Sequence, residues 1–244
     1  MSDVVYTIEP IYLGKRTADT SMFLYLTEPG VPIEIAYRLW LLRSVHRRLI
    51  IDTGPPTSEG RARGLTEALD ASDALAAHGV DAKTIDTVLL THLHWDHAAN
   101  ADQFPNAQFF AQRGEIEFLC SQRRQHPAFD RFFSQHVHLE HLVNNGRLHA
   151  LDGDVEIDRG LRALRVGGHT PGSQMFCVDT EEGRAVLTGD AVPLHRNYID
   201  RIPSGILVDV FDAIAAIERV HALDPVRIYT GHDIEPSLRL KRRR

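Results

Sequence analysis

Short alternating segments of hydrophobic and polar residues predict several strands in the first fifth of the chain. Residues 4–52 show three apolar segments: Ser21 to Thr27, the alternating positions from Ile33 to Leu39, and His46 to Ile51. Alternation with a period of two is typical of a half-buried strand. We therefore expect three strands here, with the second and third paired as a hairpin.

Two later regions favour helix. The composition from Arg61 to His78 is helical, with Ser72-Asp73 as a plausible start and Gly79 as a plausible stop. The segment from Asp209 to Leu223 predicts an amphipathic helix that packs on a sheet through apolar residues at helical spacing, namely Val210, Ile214 and Ile217. We find no Pro- or Ser-rich linker and no internal repeat, so we expect a single domain over residues 1–244.

Composition agrees with an ordinary globular protein. The chain has 244 residues, of which 43% are hydrophobic and 25% are charged, and this is enough for a substantial core. Its net charge of −6 argues against a nucleic-acid-binding surface, and the basic Lys241–Arg244 is interpreted as a solvated tail. Cys120 and Cys177 give no disulfide framework, and both are expected to be buried thiols.

The chain shows no signal for export or membrane insertion. Residues Met1–Val4 lack a basic region followed by an apolar stretch, and no apolar run approaches the ~20 residues of a membrane span. We expect a cytoplasmic protein that binds a small-molecule substrate and neither nucleic acid nor membrane. The sequence leaves open whether it is a monomer or a homodimer.

The densest chemistry follows the apolar run Val88–Leu90. Four potential metal ligands occur within six residues: His92, His94, Asp96 and His97. Imidazole and carboxylate groups are the usual ligands of Zn²⁺ and similar ions, and residues two apart in an extended segment face the same side. His92 and His94 are therefore expected to share one ion. Asp96 and His97 point to a second position, and two-metal hydrolytic sites hold their ions about 3.5–4 Å apart.

Two ions need more ligands than this loop supplies, and three further candidates follow later in the chain. His169 lies in a turn rich in glycine and proline, Asp190 closes the apolar strand Ala185–Asp190, and His232 closes Val226–His232. Each of them alone has an ordinary interpretation as a turn residue. Together they repeat one arrangement, a strand, a small residue and then a ligand, and this repetition favours metal binding.

This order of motifs resembles the metallo-β-lactamase superfamily. The resemblance extends from Ile50-Ile51-Asp52-Thr53-Gly54 to His232. It implies an α/β fold of four layers, an αββα sandwich with the metal site at the edge between two mixed sheets. It also implies that Asp52 supports the site by hydrogen bonding to a ligand; the alternative is a simple turn cap.

The resemblance further implies a dinuclear hydrolase. The implied ligands are His92, His94 and His169 for one ion, Asp96, His97 and His232 for the other, and Asp190 as the bridge between them. The ions are expected to be two divalent metals, with Zn²⁺ first and Fe, Mn or Co as alternatives. A metal-bridging hydroxide would attack a carbonyl, with Asp96 and Asp190 as the catalytic residues and Asp96 steering the proton to the leaving group.

Within the superfamily, the chain looks most similar to the N-acyl-homoserine lactonase group. The form His-Leu-His-Trp-Asp-His-Ala-Ala-Asn, the wide gap from His97 to His169 and the segment Ile202–Ile206 carry this similarity. We therefore expect hydrolysis of a lactone or related ester, a quorum-quenching activity. Thioester, amide or cyclic imide hydrolysis and a mononuclear iron persulfide dioxygenase are the alternatives.

One position departs from that group. Its members commonly carry a tyrosine three residues after the bridging aspartate, where this chain has Pro193. Tyr198 and His195 are the candidates to replace its phenol, and a plain surface role is the alternative for both.

The segment 113–146 has no regular pattern and is interpreted as an insertion that covers the metal cleft or, equally, as ordinary helix packing with solvated histidines. None of these histidines is assigned as a ligand: His126, His136, His138 and His141.

Overall fold

The computed structural model describes residues 5–134, 137 and 139–240 and contains two six-stranded sheets. In spatial order the first sheet is β1 (Thr7–Asp19), β2 (Pro32–Arg43), β3 (Arg48–Ile51), β4 (Thr87–Leu89), β5 (Gln108–Gln112) and β6 (Leu148–Leu151). The second is β12 (Ser237–Arg239), β11 (Arg227–Thr230), β10 (Gly183–Gly189), β9 (Gln174–Thr180), β8 (Leu161–Arg165) and β7 (Val155–Asp158). The sequence predictions on Met1–Val4, His136, His138 and Lys241–Arg244 fall outside the described residues.

The chain divides into two compact units. One, the first-sheet unit, consists of Ile8–Arg16 and Tyr37–Leu151. The other, the second-sheet unit, consists of the residues before Ile8, Thr17–Ala36 and the chain from Asp152 onward. Among the residues described, no helix is long and apolar enough to cross a lipid bilayer.

Parallel strands align the ligand-bearing strand ends in the first-sheet unit. β2 and β3 form the predicted antiparallel hairpin, and β3, β4, β5 and β6 then pair in parallel. The carboxyl ends of β3 and β4 therefore lie side by side. Asp52 follows the first of them, and the segment 91–97 with four candidate metal ligands, here called the metal loop, follows the second. β2 is not half-buried as expected, because every residue from Ile35 to Leu42 is buried on this interior strand.

The helices of the first-sheet unit are short. They are α1 (Thr57–Ala62), α2 (Ala71–Ala77), α3 (Trp95–Ala98), α4 (Arg113–Leu119), α5 (Pro127–Asp130) and α6 (Glu140–Asn144). Helix throughout Arg61–His78 is wrong, since Gly64 and Glu67 take positive φ angles of 88° and 54° between α1 and α2. The expected start at Ser72-Asp73 is confirmed to within one residue, because α2 begins at Ala71. The predicted stop at Gly79 is confirmed by its φ of 72°.

The second-sheet unit is an antiparallel meander from β7 to β10, followed by a crossover to the parallel strand β11. The crossover contains α7 (His195–Asp200) and α8 (Val210–Leu223). α8 confirms the predicted amphipathic helix, but its buried face is displaced by one position. Ile214 is 44% exposed, whereas Ala216, Ile217 and Val220 pack with Met175, Val186 and Ile228 in one core cluster, and Ala213 is buried as well.

The strand predicted over Ser21–Thr27 is wrong. A short 3-10 helix spans Thr20–Met22, and turns follow it. The Asp19 carboxylate accepts hydrogen bonds from the backbone N–H groups of Ser21 and Gly30 and closes this segment into a loop. Leu26 has a φ of 52°, which a strand does not allow.

The two cysteines differ in exposure. Cys177 is buried, as expected, and its burial raises the pKa of the thiol. Cys120 is exposed at the end of α4, so the prediction of a second buried thiol is wrong.

Candidate metal-binding clusters

Four candidate ligands lie together in the first-sheet unit and form the loop cluster: His92, His94, Asp96 and His97. The chain leaves β4 and turns into α3, which begins directly after His94. The ligand atoms of His92 lie within 4.8 Å of those of His94 and of His97, and the Oδ2 of Asp96 lies 3.7 Å from the Nε2 of His97. All three histidines are buried. The predicted clustering of these side chains is confirmed.

Asp52 organises the loop cluster from the end of β3. Its carboxylate accepts hydrogen bonds from the backbone N–H of Thr91 at 2.7 Å, from the Thr91 hydroxyl at 2.8 Å and from the Nδ1 of His97 at 2.8 Å. Asp52 is 2% exposed and has a φ of 60°, a conformation that non-glycine residues seldom adopt. The expected hydrogen bond from Asp52 to a candidate ligand is confirmed, and its role exceeds that of a turn cap.

Two phenylalanines from the segment 113–146 contact His94. The ring of Phe132 stacks on the imidazole at a centroid distance of 5.2 Å, and Phe133 meets it edge-on at 5.6 Å. Part of this segment therefore packs against a candidate ligand, which agrees with the interpretation of 113–146 as an insertion beside the candidate metal ligands. His126 instead accepts from the backbone of Ala128 at the start of α5, and His141 pairs with Asp102.

Three candidate ligands lie together in the second-sheet unit and form the strand-end cluster: His169, Asp190 and His232. Asp190 follows β10, and His232 follows β11 after one intervening residue. The Nε2 atom of His232 lies 3.1 Å from Asp190 Oδ1, and the Nε2 of His169 lies 3.5 Å from Asp190 Oδ2. Oδ2 also lies 3.3 Å from the Nε2 of His232, so the Asp190 carboxylate lies between the two imidazoles.

Two glycines make the strand-end cluster sterically feasible. A Cβ atom on Gly231 would lie 2.5 Å from Asp190 Oδ1, so only glycine leaves room for the carboxylate. Gly168 has a φ of 83°, and a Cβ there would lie 2.5 Å from the backbone nitrogen of Ala213. Its carbonyl accepts from the N–H groups of Val208 and Asp209, which anchors the His169 turn at the start of α8.

Three histidines of the two clusters, namely His97, His169 and His232, share one hydrogen-bonding pattern. Nδ1 donates to the Asp52 carboxylate in His97, to the Ile206 carbonyl at 2.6 Å in His169 and to the Ala36 carbonyl at 3.0 Å in His232. A histidine held through Nδ1–H carries its lone pair on Nε2, the arrangement typical of metal-binding histidines. The side chains of both clusters therefore fit a divalent ion such as zinc.

Neither candidate for the missing phenol lies in the two clusters as they stand. Tyr198 stacks on His221 with ring centroids 4.0 Å apart and packs beside the core of the second-sheet unit. His195 has its Nδ1 3.6 Å from the carboxylate of Asp233, the residue after His232.

A family model of the metallo-β-lactamase superfamily matches residues 39–232, which is most of the chain. The chain belongs to this superfamily. The predicted resemblance and the α/β fold class are thereby confirmed. An N-acyl homoserine lactonase from Bacillus sp is 26% identical over 253 residues, which cover 94% of this chain and 95% of that protein.

Solved structures give the same result. A Bacillus thuringiensis AiiA variant with N-decanoyl-L-homoserine bound at its active site has a TM-score of 0.81 and 26% identity, and the match covers 96% of this chain and 95% of that one. AidC, a dizinc quorum-quenching lactonase in complex with N-hexanoyl-L-homoserine as product, has a TM-score of 0.72. The match covers 97% of this chain and 90% of the AidC chain. At 15% identity, AidC shows the likeness of fold alone.

Proposed function

We propose that this protein is a dinuclear metal-dependent lactonase that opens N-acyl homoserine lactones or closely related cyclic esters. The observation that carries the proposal is similarity to N-acyl homoserine lactonases over 94% of this chain and 95% of the relative. The fit of both clusters to divalent ions agrees with it. A cytoplasmic location and the choice between monomer and homodimer stay predictions.

The proposed ligand set follows the family pattern. The residues that would hold the ions are His92, His94 and His169 for one, Asp96, His97 and His232 for the other, and Asp190 for both. When bound, two divalent ions would supply a hydroxide nucleophile near neutral pH and polarise the carbonyl that it attacks. Zinc is the first choice, because imidazole and carboxylate groups suit it.

The chain's own residues would perform the remaining tasks. Asp52 keeps the His97 ring oriented and its Nδ1 protonated, so that Nε2 stays available as a ligand. The carbonyls of Ile206 and Ala36 do the same for His169 and His232. Asp96 is the residue proposed to accept the proton that the attacking hydroxide oxygen releases and to pass it to the alkoxide that leaves when the ring opens. Partial burial suits Asp96 to this task, because its carboxylate is not fully enclosed within the cluster.

The first test is elemental analysis of the purified protein together with a substrate panel. The panel holds N-acyl homoserine lactones of several chain lengths, simple γ-lactones and a thioester. We expect about two zinc-like ions per chain and turnover of the lactones. One iron per chain, or two ions without lactone turnover, would overturn the proposal in favour of a persulfide dioxygenase or of a different hydrolase.

A pair of histidine and aspartate variants tests the ligand set. Asp190→Asn should weaken metal retention and lactone hydrolysis together, because an amide binds a divalent ion less strongly than a carboxylate does. His126→Gln is the matched control, since the His126 side chain accepts a hydrogen bond from Ala128 in α5 and belongs to neither cluster. Full metal content and activity in Asp190→Asn would remove Asp190 from the site, and loss of an ion in His126→Gln would show that the ligand set is wrong.

A further inference from the structure

An ion pair between the buried Glu59 and the partly exposed Arg63 lies at the end of α1, within the first-sheet unit. The carboxylate of Glu59 is 4% exposed, and its Oε1 lies 2.7 Å from Nη2 and 3.1 Å from Nε of Arg63. A buried carboxylate needs charged and hydrogen-bonding partners to offset its lost hydration. Arg63 supplies that partner for Glu59, although its own side chain stays 27% exposed.

The pair holds the backbone of Arg131–Ser134, the segment that we call the phenylalanine strap. Nη1 of Arg63 donates to the carbonyl of Arg131 at 2.9 Å, and Nη2 donates to that of Phe133 at 3.3 Å. The Ser134 hydroxyl donates to the second oxygen of Glu59 at 2.5 Å. Three hydrogen bonds thus fix four consecutive residues from a rigid helix end.

The strap in turn contacts the metal loop. The N–H of Trp95 donates to the Phe132 carbonyl at 2.9 Å, and the Phe132 ring stacks on His94 with an angle of 28° between the planes. The Arg63 guanidinium also lies over the Trp95 ring, 4.6 Å from its centroid. Arg63 therefore contacts both the strap and the residue next to His94.

We propose that Glu59 and Arg63 are positioning residues for the metal ligand His94 and that they act through Phe132. An imidazole nitrogen donates its lone pair only in the ring plane, and a flat stack restricts how far that plane can rotate. Loosening the strap would misdirect the donor nitrogen of His94. The inference rests on the proposed function, because it requires His94 to bind a metal.

Arg63→Lys is the variant that separates holding the strap from balancing the charge. Lysine keeps a positive charge beside Glu59 but lacks the planar fork that reaches two carbonyls at once. Residues that orient metal ligands typically change metal affinity by about 10–100-fold, so we expect zinc to pass to a chelator about 10-fold faster than in the wild type. The visible absorption of the cobalt-substituted protein should change as well, which reports ligand geometry without any turnover.

Phe132→Leu tests the contact between the strap and His94 while the Glu59–Arg63 pair stays intact. It should show the same faster zinc loss and altered cobalt spectrum as Arg63→Lys. Because Arg63 is proposed to act through Phe132, the double variant should be no worse than the more affected single one. Additive losses in the double variant would overturn the proposed route. Phe132→Leu also keeps the proposal testable if Arg63→Lys does not fold.

Arg147→Lys is the matched control in the same unit. Arg147 also donates to two carbonyls, those of Phe104 and Ala107, and lies over a ring, that of Phe109. It should retain zinc as the wild type does. Wild-type zinc retention and cobalt spectra in Arg63→Lys, or equal losses in Arg147→Lys, would overturn the inference. Failure of the proposed function is distinguishable, since the unmodified protein would then hold fewer than two ions or leave lactones intact.

Discussion

Because Gly231 has no Cβ atom, the Asp190 carboxylate can lie close to the backbone of residue 231. A Cβ atom at Gly231 would come within 2.5 Å of Asp190 Oδ1 and 3.0 Å of the Gly189 carbonyl group. Real Cβ atoms do not approach oxygen so closely, so an alanine here would force the carboxylate away from His232. The glycine before His232 is thus part of the candidate site, although it carries no ligand atom.

Gly231→Ala is expected to release metal and to reduce lactone hydrolysis by at least about 10-fold, the range typical for loss of ligand support. The measurements are metal content after dialysis and turnover at saturating substrate. Gly153→Ala is the control, because no atom of the described residues lies within 4 Å of the added Cβ but its φ of 72° strains the backbone. That variant should lose stability and keep its metal. A Gly231→Ala protein with full metal content would contradict this role.

The sequence predicts the identity of candidate ligands better than it predicts what supports them. Asp190 and His232 could be found because polar residues that end apolar strands are chemically distinctive. The acceptors on His169 and His232 could not be found, since they are backbone carbonyls of Ile206 and Ala36, and any residue type supplies a carbonyl. Phe132 was also missed, because a stacking contact between distant segments leaves no periodic pattern.

At the scale of elements, predictions succeeded where a capping residue or a buried strand supplied a local signal. α8 begins after Asp209, as expected, and β4, β10 and β11 each precede a candidate ligand. The helix expected over Arg61–His78 failed because composition does not register the backbone reversal at Gly64 and Glu67. The buried face of α8 was displaced because small alanines, and not the larger Ile214, meet the sheet.

The cap of α8 gives a prediction at this scale. The Asp209 side chain accepts from the N–H groups of Phe211 at 2.8 Å and of Asp212 at 3.0 Å. Asp209→Ala should lower the free energy of unfolding by about 1 kcal/mol, within the ~0.5–2 kcal/mol measured for such caps. Asp209→Asn keeps an acceptor oxygen and should stay close to the wild type. Urea denaturation compares the three proteins, and equal losses in both variants would show that the cap is not the stabilising feature.

At the scale of the whole molecule, the order of motifs predicted the superfamily and its fold class, because ligand-bearing strand ends constrain how strands must be arranged. The match over residues 39–232 confirms both. The division into two compact units could not be read from the sequence, since no linker of distinct composition marks it. The single-domain prediction requires that the two units unfold together in one cooperative transition.

Thermal unfolding with and without metal tests that prediction. A single domain should unfold in one transition whose calorimetric and van't Hoff enthalpies agree. Zinc that binds only the native state should stabilise it by about 2.7 kcal/mol per site at 100 times the Kd. For a chain of this length, each kcal/mol raises the Tm by roughly 2–4 °C, so chelating two ions should lower the Tm by roughly 10–20 °C. Asp190→Asn should abolish most of this shift. Two separate transitions, of which zinc moves only one, would show that the two units are independent domains and that one of them alone binds the metal.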